Sequence, residues 1–245
     1  MGRDAVISLS GVSGSLALSI HNMYETLAIS VPTVVDAARG RLTKEACDER
    51  LRSWSARIVE HNAMEVEVRG REHFDPSATY LVMSNHQSHY DVPVLFHALG
   101  GNLRMVAKIE LFNFPLFGRA MQEAGFIAID RKSRDKAIES LRLAKERMMS
   151  GVNVWIAPEG TRSPDGELLP FKKGGFHLAL DVGVPVLPVT VQGTRDALPR
   201  GASRSRPGAR VRVTIHPAID LAPYAGDDGV DALMSDVRSS IASVL

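Results

Sequence analysis

The chain has 245 residues, with 44% hydrophobic and 23% charged side chains and a formal net charge of +1 at pH 7. A chain of this length can bury a large core as one domain, or as one domain with an appendage. The near-zero net charge gives no indication of nucleic acid binding. The single cysteine, Cys47, excludes an internal disulfide framework and is consistent with a reducing compartment.

The N-terminal segment is poor in charged residues, and residues 5–24 contain no Asp, Glu, Lys or Arg. A membrane-spanning helix needs about 20 predominantly apolar residues. Serine and glycine residues dilute this run, and His21 and Asn22 then interrupt it. The segment therefore predicts a helix that either lies in a membrane surface or packs on the protein, and its composition does not choose between the two.

A second helix is predicted over 41–64, because Leu51, Trp54 and Ile58 fall on one stripe. Basic side chains crowd the rest of this helix: Arg41, Lys44, Arg50, Arg52 and Arg57. A basic helix that carries a Trp can lie on anionic lipid, although many such helices are simply solvated on one side. Both environments stay open at this point.

From Val66 onward, short apolar runs alternate with helical stretches. The runs predict seven strands, at 66–68, 80–84, 103–108, 126–130, 153–157, 186–192 and 210–216. Helices are predicted between them at 92–99, 115–124, 133–150 and 176–182. Ser133 is the predicted cap of the third of these helices, and Gly151 is its predicted end. This alternation predicts an α/β fold whose mostly parallel sheet is covered by helices on both faces.

The sequence NHQSHYD, residues 85–91, directly follows the second predicted strand, at the edge where such sheets bind ligands. His86 and Asp91 are five residues apart, which on a regular helix would separate their side chains by about 140°. On a strand-to-helix turn the two can meet. A carboxylate bound to one imidazole nitrogen fixes the tautomer and stabilises the cation formed when the other nitrogen takes a proton. His86 is therefore a candidate general base with Asp91 as its partner.

The heptapeptide NHQSHYD also allows three roles besides acid–base chemistry. Its polar residues could only cap the following helix, through Asn85, Ser88 or Asp91. His86, His89 and Asp91 are also metal-ligand types, but no further His or Cys cluster in the sequence completes such a site, so we expect no metal. Ser88 could be a nucleophile, but the elbow sequence G-x-S-x-G is absent from the chain. The acceptor is therefore expected to bring its own hydroxyl.

Cationic residues follow several of the other strands. Arg162, in the loop after the fifth strand, can bind a phosphate through two hydrogen bonds. Lys172 and Lys173 precede a predicted helix start, Lys108 ends the third strand, and Arg131 follows the fourth. Each cation alone is explained as a solvated surface residue. Four loops that carry cations beside a His–Asp pair predict a binding site for an anion.

Four sequence blocks follow one another along the chain: NHQSHYD at 85–91, GFIAIDR at 125–131, APEGTRS at 157–163 and VPVLPV at 184–189. Together they resemble the glycerolipid acyltransferase family, whose best-known members are the 1-acylglycerol-3-phosphate acyltransferases. The third block departs from the family pattern only in Ala157, which replaces an aromatic or aliphatic residue. The similarity extends from about Leu51 to about Ile215 and so covers most of the chain.

This resemblance implies a glycerolipid acyltransferase fold and the transfer of an acyl chain from a thioester, on coenzyme A or acyl carrier protein, to a lysolipid hydroxyl. His86 would take the hydroxyl proton, and Asp91 would orient His86. With 1-acylglycerol-3-phosphate as the acceptor the product is phosphatidic acid, and Arg162 would bind the phosphate. The substrate-binding residues implied by the resemblance are Lys108, Arg131, Glu159, Gly160, Thr161 and Arg162. No cofactor, metal ion or nucleic acid is expected to take part.

The resemblance also bears on the N-terminus, because both substrates carry acyl chains that reside in a bilayer. In the family's bacterial members a pair of helices holds the enzyme at the membrane, and the two predicted N-terminal helices resemble that pair. We therefore expect 1–63 to be a helical membrane-associating segment and 64–245 to be the α/β acyltransferase domain, acting at the cytoplasmic face of the inner membrane. The alternatives are transfer to glycerol 3-phosphate, another lysophospholipid or a lyso-ornithine lipid, thioester hydrolysis, and lipid binding without catalysis.

Overall fold

The structure, a computed structural model, describes residues 14–130 and 134–245, and over 134–137 it describes the backbone alone. The predicted helix cap Ser133 and the predicted ligand Arg131 lie outside the described residues, as do the first 13 residues of the N-terminal segment. Within the described ranges the chain folds as a seven-stranded sheet with helices on both faces.

The predicted strands are all present, and their ends lie within one residue of the prediction. They are β1 (Glu65–Arg69), β2 (Leu81–Ser84), β3 (Leu103–Lys108), β4 (Ile127–Ile129), β5 (Asn153–Ile156), β6 (Val186–Gln192) and β7 (Arg210–Ile215). Their order across the sheet is β1-β7-β6-β2-β5-β3-β4. Every neighbouring pair is parallel except β6 and β7. The predicted mostly parallel α/β fold is confirmed.

Strand β2 lies at the centre of this sheet, and residues 81–84 are all fully buried. A parallel strand covered on both faces is expected to be a continuous apolar run, and the sequence LVMS nearly is one. Because β5 and β6 flank β2 in the same direction, the loops that follow these three strands open at one edge of the sheet. NHQSHYD begins at this edge.

Nine α-helices lie in the described part of the chain: α1 (Leu16–Ala38), α2 (Lys44–His61), α3 (Asp91–Leu99), α4 (Ile109–Phe112), α5 (Phe117–Glu123), α6 (Arg134–Met149), α7 (Gly174–Val182), α8 (Thr194–Ala197) and α9 (Gly229–Ala242). The predicted basic helix is α2, and the four helices predicted between strands are α3, α5, α6 and α7. Helices α4, α8 and α9 are absent from the predicted elements. In α9, Leu233, Val237 and Ile241 recur every four residues and are fully buried, and this spacing is the signal that indicates a helix there.

The helices form a hydrophobic core on each face of the sheet. On one face, α2 and α3 contribute Ile58 and Phe96, among others. On the opposite face, α6, α7 and α9 contribute Met148, Phe176 and Leu233. Helix α2 is thus part of the core around the sheet. The division of the chain at residues 63 and 64 stays a prediction.

Helix α1 packs against α2 and α5 through a polar side. Its buried residues are Glu25, Ser30 and Thr33. Large apolar side chains lie on its exposed side, here called the outer stripe: Leu16, Ile20, Met23, Tyr24, Leu27, Val31 and Val35. Their spacing of three or four residues places them on one side of the helix. None of the helices that the structure describes is long and apolar enough to cross a membrane.

Candidate active site

His86 and Asp91 meet at the turn between β2 and α3. The imidazole Nδ1 of His86 lies 2.7 Å from Asp91 Oδ2. The Asp91 side chain is fully buried, whereas 19% of the His86 side chain is exposed. Because His86 lies in the strand exit and Asp91 is the first residue of the helix, the turn brings together two side chains that a regular helix would separate. The predicted contact is therefore present.

Asp91 is held by more than the histidine. Its Oδ2 also accepts hydrogen bonds from the backbone N–H groups of Gln87, at 2.7 Å, and Ser88, at 3.0 Å. Its Oδ1 accepts a hydrogen bond from the hydroxyl of Thr194, at the start of α8. A buried carboxylate needs such partners, because burial without hydrogen bonds is costly. These bonds fix the carboxylate, and with it the orientation of the His86 ring.

Asn85 and Ser88 anchor the heptapeptide to the rest of the protein. The Asn85 amide pairs with both backbone groups of Val191 in β6, each at 2.8 Å. The Ser88 hydroxyl donates to the carbonyl of Leu198 at 2.8 Å and accepts from the N–H of Tyr90 at 3.2 Å. These two polar residues therefore have a purely structural role. Among the described residues the Ser88 hydroxyl bonds only to backbone groups and not to a base, so a serine nucleophile has no support.

Glu159 joins the loop after β5 to the loop after β2. Its Oε1 accepts from the N–H of His86 at 2.7 Å, and its Oε2 accepts from the N–H of Leu169 at 3.0 Å. Burial raises the pKa of this carboxyl, and the two backbone hydrogen bonds oppose that rise. Both oxygens are thus occupied by the backbone. The resemblance-based role of Glu159 as an acceptor ligand stays a prediction.

The site opens into a cleft of about 980 Å³ whose walls are mostly apolar. His86 lies in its lining together with Trp155, whose ring meets the imidazole edge-on at 5.8 Å between centroids. Trp155 is fixed by a 2.9 Å hydrogen bond from its Nε1 to Ser84 Oγ. Other lining residues come from α1, α2, α3 and α5, including Ile29, Trp54, Phe96 and Phe117. Within the described residues the His86 Nε2 has no hydrogen-bond partner, so it is free to meet a substrate.

Arg162 is a candidate anion ligand that the structure places on the same cleft as His86. It lines the same cleft as His86 and is half-buried, and its guanidinium makes no hydrogen bond or ion pair with the residues described. Burial, followed by the positive charge of Arg200, lowers the pKa of Arg162. Arg200 in turn donates from its guanidinium to the Arg162 carbonyl at 2.8 Å. Two guanidinium groups therefore lie near each other. Arg162 forms no ion pair with the residues described, although the negative charge of Asp91 weakly opposes the fall of its pKa.

Gly160, Thr161 and Lys172 complete this wall of the cleft. Gly160 has a φ of +70°, and a Cβ there would come within 3.1 Å of the Lys172 side chain, so both backbone and space favour glycine. Lys108 also lines the cleft, but it is exposed and lies 3.1 Å from Glu110. Of the predicted substrate-binding residues, Arg131 lies outside the described part of the chain.

His89 differs from His86 although both belong to the same heptapeptide. It lies where the cleft reaches solvent, and no carboxylate hydrogen-bonds to its ring within the described residues. Loss of hydration at the cleft wall, together with the charge of Arg162, lowers the pKa of His89 to about 4. The ring is therefore neutral at pH 7. Among the described residues the negative charge of Asp91 favours its cation, but it is the weakest of the four influences and involves no hydrogen bond. This supports His86 rather than His89 as the base.

Tyr90 connects the heptapeptide to the N-terminal helices. Its buried hydroxyl accepts a 2.6 Å hydrogen bond from Asn22 of α1. The same hydroxyl lies 2.7 Å from Asn62, which follows α2, and 2.7 Å from Ser205. The two asparagine side chains also bond each other, at 3.0 and 3.1 Å. One phenol thus joins the catalytic turn to both helices.

Three residues of the site are absent from the sequence-based prediction: Trp155, Thr194 and Arg200. Thr194 had the clearest signal, because it is a polar residue just after a strand and so lies at the edge where ligands bind. Trp155 belongs to an apolar strand, and its polar Nε1 is the only hint of a further role. Arg200 lies in a loop with no motif around it.

This arrangement is that of an acyltransferase. The family model described as Acyltransferase matches residues 65–192, and the chain belongs to that family.

Relatives of the chain agree with this assignment. The chain is 36% identical over 211 residues to the mouse 1-acyl-sn-glycerol-3-phosphate acyltransferase alpha, covering 86% of this chain and 73% of that protein. It is 39% identical over 180 residues to the human protein of the same name, covering 73% of this chain and 63% of that protein. The crystal structure of the 1-acyl-sn-glycerophosphate acyltransferase PlsC from Thermotoga maritima superimposes with a TM-score of 0.73 at 26% identity, covering 93% of this chain and 95% of that chain.

Proposed function

We propose that this protein transfers a fatty acyl group from a thioester to the free hydroxyl of 1-acylglycerol-3-phosphate and so makes phosphatidic acid. The observation that carries the proposal is the His86–Asp91 pair, with Nδ1 bonded at 2.7 Å and Nε2 facing an apolar cleft. The names of the relatives supply the choice of acceptor.

His86 is the general base of this reaction. Its Nε2 accepts the proton of the acceptor hydroxyl as that oxygen attacks the thioester carbonyl carbon. The carbon–sulfur bond breaks, the acyl group stays on the oxygen, and the proton passes to the leaving thiolate. Asp91 keeps Nδ1 protonated and stabilises the imidazolium, and the pair can contribute about 10²–10⁴-fold. Because the acceptor brings its own nucleophile, the reaction needs no acyl-enzyme intermediate and no cofactor.

Arg162 binds the acceptor phosphate. A guanidinium forms paired, charge-assisted hydrogen bonds with phosphate oxygens, and Arg162 is half-buried on the His86 cleft without a partner for its guanidinium among the residues described. Gly160 and Thr161 contribute to the same wall, with Lys108 and Arg131 assisting. Glu159 supports this site through the backbone of His86.

The cleft accommodates acyl chains, because its walls are mostly apolar and His86 lies in its lining. Coenzyme A and acyl carrier protein are both suitable donors, since the proposed chemistry uses only the thioester carbonyl and the leaving sulfur.

The membrane interface is the proposed place of action, at the cytoplasmic face of the inner membrane. The outer stripe of α1 presents seven large apolar side chains to the surroundings, with exposed fractions between 37% and 63%. An apolar helical side of this kind lies in the interface plane with its side chains in the acyl region. Arg50 forms an ion pair with Asp36, and Arg57 forms one with Glu25. The attraction to anionic lipid therefore comes from other basic residues near the α1–α2 turn, such as Arg39 and Arg41.

The test is an assay of the purified full-length protein with labelled acyl-CoA and acyl carrier protein. The acceptor panel comprises 1-acylglycerol-3-phosphate, glycerol 3-phosphate, a lysophospholipid with a zwitterionic head group and a lyso-ornithine lipid. We expect phosphatidic acid to form fastest, with thiol release that depends on the acceptor. Faster transfer to an acceptor without a phosphate would overturn the acceptor assignment, and thiol release without any acceptor would indicate a hydrolase.

A further inference from the structure

A cluster of two histidines and a glutamate joins α1 to α2. His21 and Glu25 are four residues apart on α1 and so share one side of that helix. His61 is the last residue of α2. The three side chains present their ligand atoms to one another within 4.8 Å. None of the three lines the cleft that holds His86, so the cluster is not part of the acyl-transfer site.

The distances in this cluster match those of a metal site. His21 Nε2 lies 2.7 Å from His61 Nδ1, and Glu25 Oε1 lies 3.6 Å from the former and 3.8 Å from the latter. A circle through these three atoms has a radius of about 2 Å, and zinc binds imidazole nitrogen and carboxylate oxygen at about 2.0–2.2 Å. Tetrahedral ligands are separated by about 3.3 Å. To reach that spacing, the two imidazole nitrogens must move apart by about 0.6 Å, and Glu25 Oε1 must come closer to them by about 0.3–0.5 Å.

The surroundings of Glu25 prepare it for this role. The residue is buried, and its Oε2 accepts a hydrogen bond from Arg57 Nε at 2.6 Å. Arg57 thus fixes the carboxylate and leaves Oε1 turned toward the two imidazoles, as outer hydrogen bonds do in known metal sites. The two rings are partly exposed, with 43% and 34% of their side chains accessible, so an ion can enter from solvent. A water molecule would complete the fourth position.

We propose that His21, Glu25 and His61 bind one divalent transition-metal ion of the zinc type, which pins α1 to α2. Without the ion, the 2.7 Å contact between the imidazoles is a hydrogen bond in which one ring donates. With the ion, both neutral rings carry their protons on the far nitrogens, His21 Nδ1 and His61 Nε2, and direct lone pairs at the metal. The change is a tautomeric shift in the ring that donates the hydrogen bond when no ion is bound.

The ion would act next to the contacts of Tyr90. Asn22 and Asn62 directly follow the two histidine ligands, and both contact the Tyr90 hydroxyl. An ion that fixes the helices at residues 21 and 61 therefore also fixes the two asparagines. Its role is structural, because it lies outside the cleft and touches no reacting group.

The test is a titration of untagged full-length protein, first freed of metal with a chelator, with Zn²⁺ alone and with Co²⁺ as a spectroscopic probe. We expect one ion per chain, a visible absorption band typical of four-coordinate Co²⁺, and a Tm that rises with Zn²⁺ concentration, because the ion binds the folded state. His21→Ala and His61→Ala should each weaken binding at least tenfold. If His61→Ala folds poorly, His61→Gln replaces it, because glutamine keeps a hydrogen-bonding side chain of similar shape. His61→Gln should also weaken Zn²⁺ binding.

His177→Ala is the matched control, because His177 is an exposed histidine on α7. It should bind Zn²⁺ like the unmodified protein. Unchanged affinity in the His21 and His61 variants would overturn the proposal, and so would absence of binding by the unmodified protein. Loss of binding in His86→Ala alone would place the ion at the active site and would overturn it too. Circular dichroism of each variant separates loss of a ligand from loss of fold.

Discussion

Helix α1 and strand β2 distribute their apolar side chains in opposite ways. In β2, residues 81–84 are fully buried, so the apolar run faces the protein interior on both sides. In α1 the buried residues are Glu25, Ser30 and Thr33, while the outer stripe of apolar side chains faces away from the protein. The comparison shows that a hydrophobic sequence favours an apolar environment, but that the sequence alone does not determine where that environment comes from. The interior of the chain provides it for β2. For the outer stripe of α1, the described residues do not provide it.

The attachment of α1 to the protein is correspondingly polar. Glu25 is bound by Arg57, and Thr33 accepts a hydrogen bond from Arg50 at 3.3 Å. Transfer of a large apolar side chain from water to an apolar environment is worth about 1.5–3 kcal/mol. The side chains of the outer stripe stay about half exposed to water, so roughly half of this free energy is available for contact with a lipid surface. A lipid-facing helix held by polar contacts is therefore the simplest account of α1.

The largest expected effect is the loss of kcat when His86, the proposed general base at the end of β2, is replaced. His86→Ala should lower kcat for acyl transfer by about 10²–10⁴-fold, because the general base is lost. Its Tm and circular dichroism should stay close to those of the unmodified protein, since His86 is partly exposed. His89→Ala is the control, and steady-state kinetics should show a change of less than about tenfold. A severe defect in His89→Ala with near-normal His86→Ala would contradict the assignment of the base.

A second large effect is expected at the outer stripe. The triple variant Ile20→Ser, Leu27→Ser and Val31→Ser removes three exposed apolar side chains, each able to contribute about 1 kcal/mol on partial burial in lipid. Binding to anionic vesicles should weaken by about 100-fold in a flotation assay. The Tm in the absence of vesicles should change little, because these side chains make few contacts inside the protein.

The matched control for the stripe is on α6, which also exposes large apolar side chains. Ile138, Leu143 and Met149 are exposed there to 57%, 39% and 73%. The triple serine variant of these residues should float with vesicles as the unmodified protein does. If both triple variants lose binding equally, exposed apolar area rather than the α1 stripe accounts for the interaction. If the full-length protein never floats, α1 is an ordinary packed helix.

A smaller effect is expected at the acceptor wall. Arg162→Ala should raise the KM for a phosphorylated lysolipid about 10–150-fold, because a charge-assisted hydrogen bond to a buried group contributes about 1.5–3 kcal/mol. The KM for the acyl donor should change much less. Arg142→Ala, which removes an exposed arginine from α6, is the control and should alter neither constant. Equal increases for donor and acceptor would mean that Arg162 has a structural role.

The smallest effect is expected at Thr194, a positioning residue that acts through Asp91. Thr194→Val keeps the shape of the side chain and removes the hydroxyl that bonds Asp91 Oδ1. Asp91 keeps its two backbone donors, so we expect kcat to fall only about tenfold, or about 1.4 kcal/mol, with unchanged KM. Thr194→Ser should restore kcat, because it returns the donor. A KM effect without a kcat effect would contradict this role.

The sheet and the catalytic pair could be predicted because their signals are local. Each strand is a short apolar run, and His86 and Asp91 lie at the exit of one such run within a single turn of chain. The parallel arrangement followed from the alternation of strands with helices. Thr194 could not be placed beside Asp91, because 103 residues separate them and only the position of β6 next to β2 brings them together.

The N-terminal region was less predictable for a physical reason. A polar–apolar pattern shows that a helix has two sides, but not which side meets the protein. The contact between His21 and His61, which are 40 residues apart, depends on how α1 and α2 pack and leaves no spacing pattern in the sequence. The expectation that no metal ion binds at His86, His89 and Asp91 stays a prediction.

Helix α1 connects the outer stripe to the catalytic turn over a fixed distance. The helix has 23 residues, and the 16 beyond Asn22 extend about 24 Å at about 1.5 Å per residue. Asn22 donates a 2.6 Å hydrogen bond to the hydroxyl of Tyr90, which is four residues from the catalytic base. Farther along the helix, Arg50 binds Thr33 and Asp36. The separation between His86 and the surface that carries Leu27, Val31 and Val35 is therefore set by polar contacts at two points along one rigid helix.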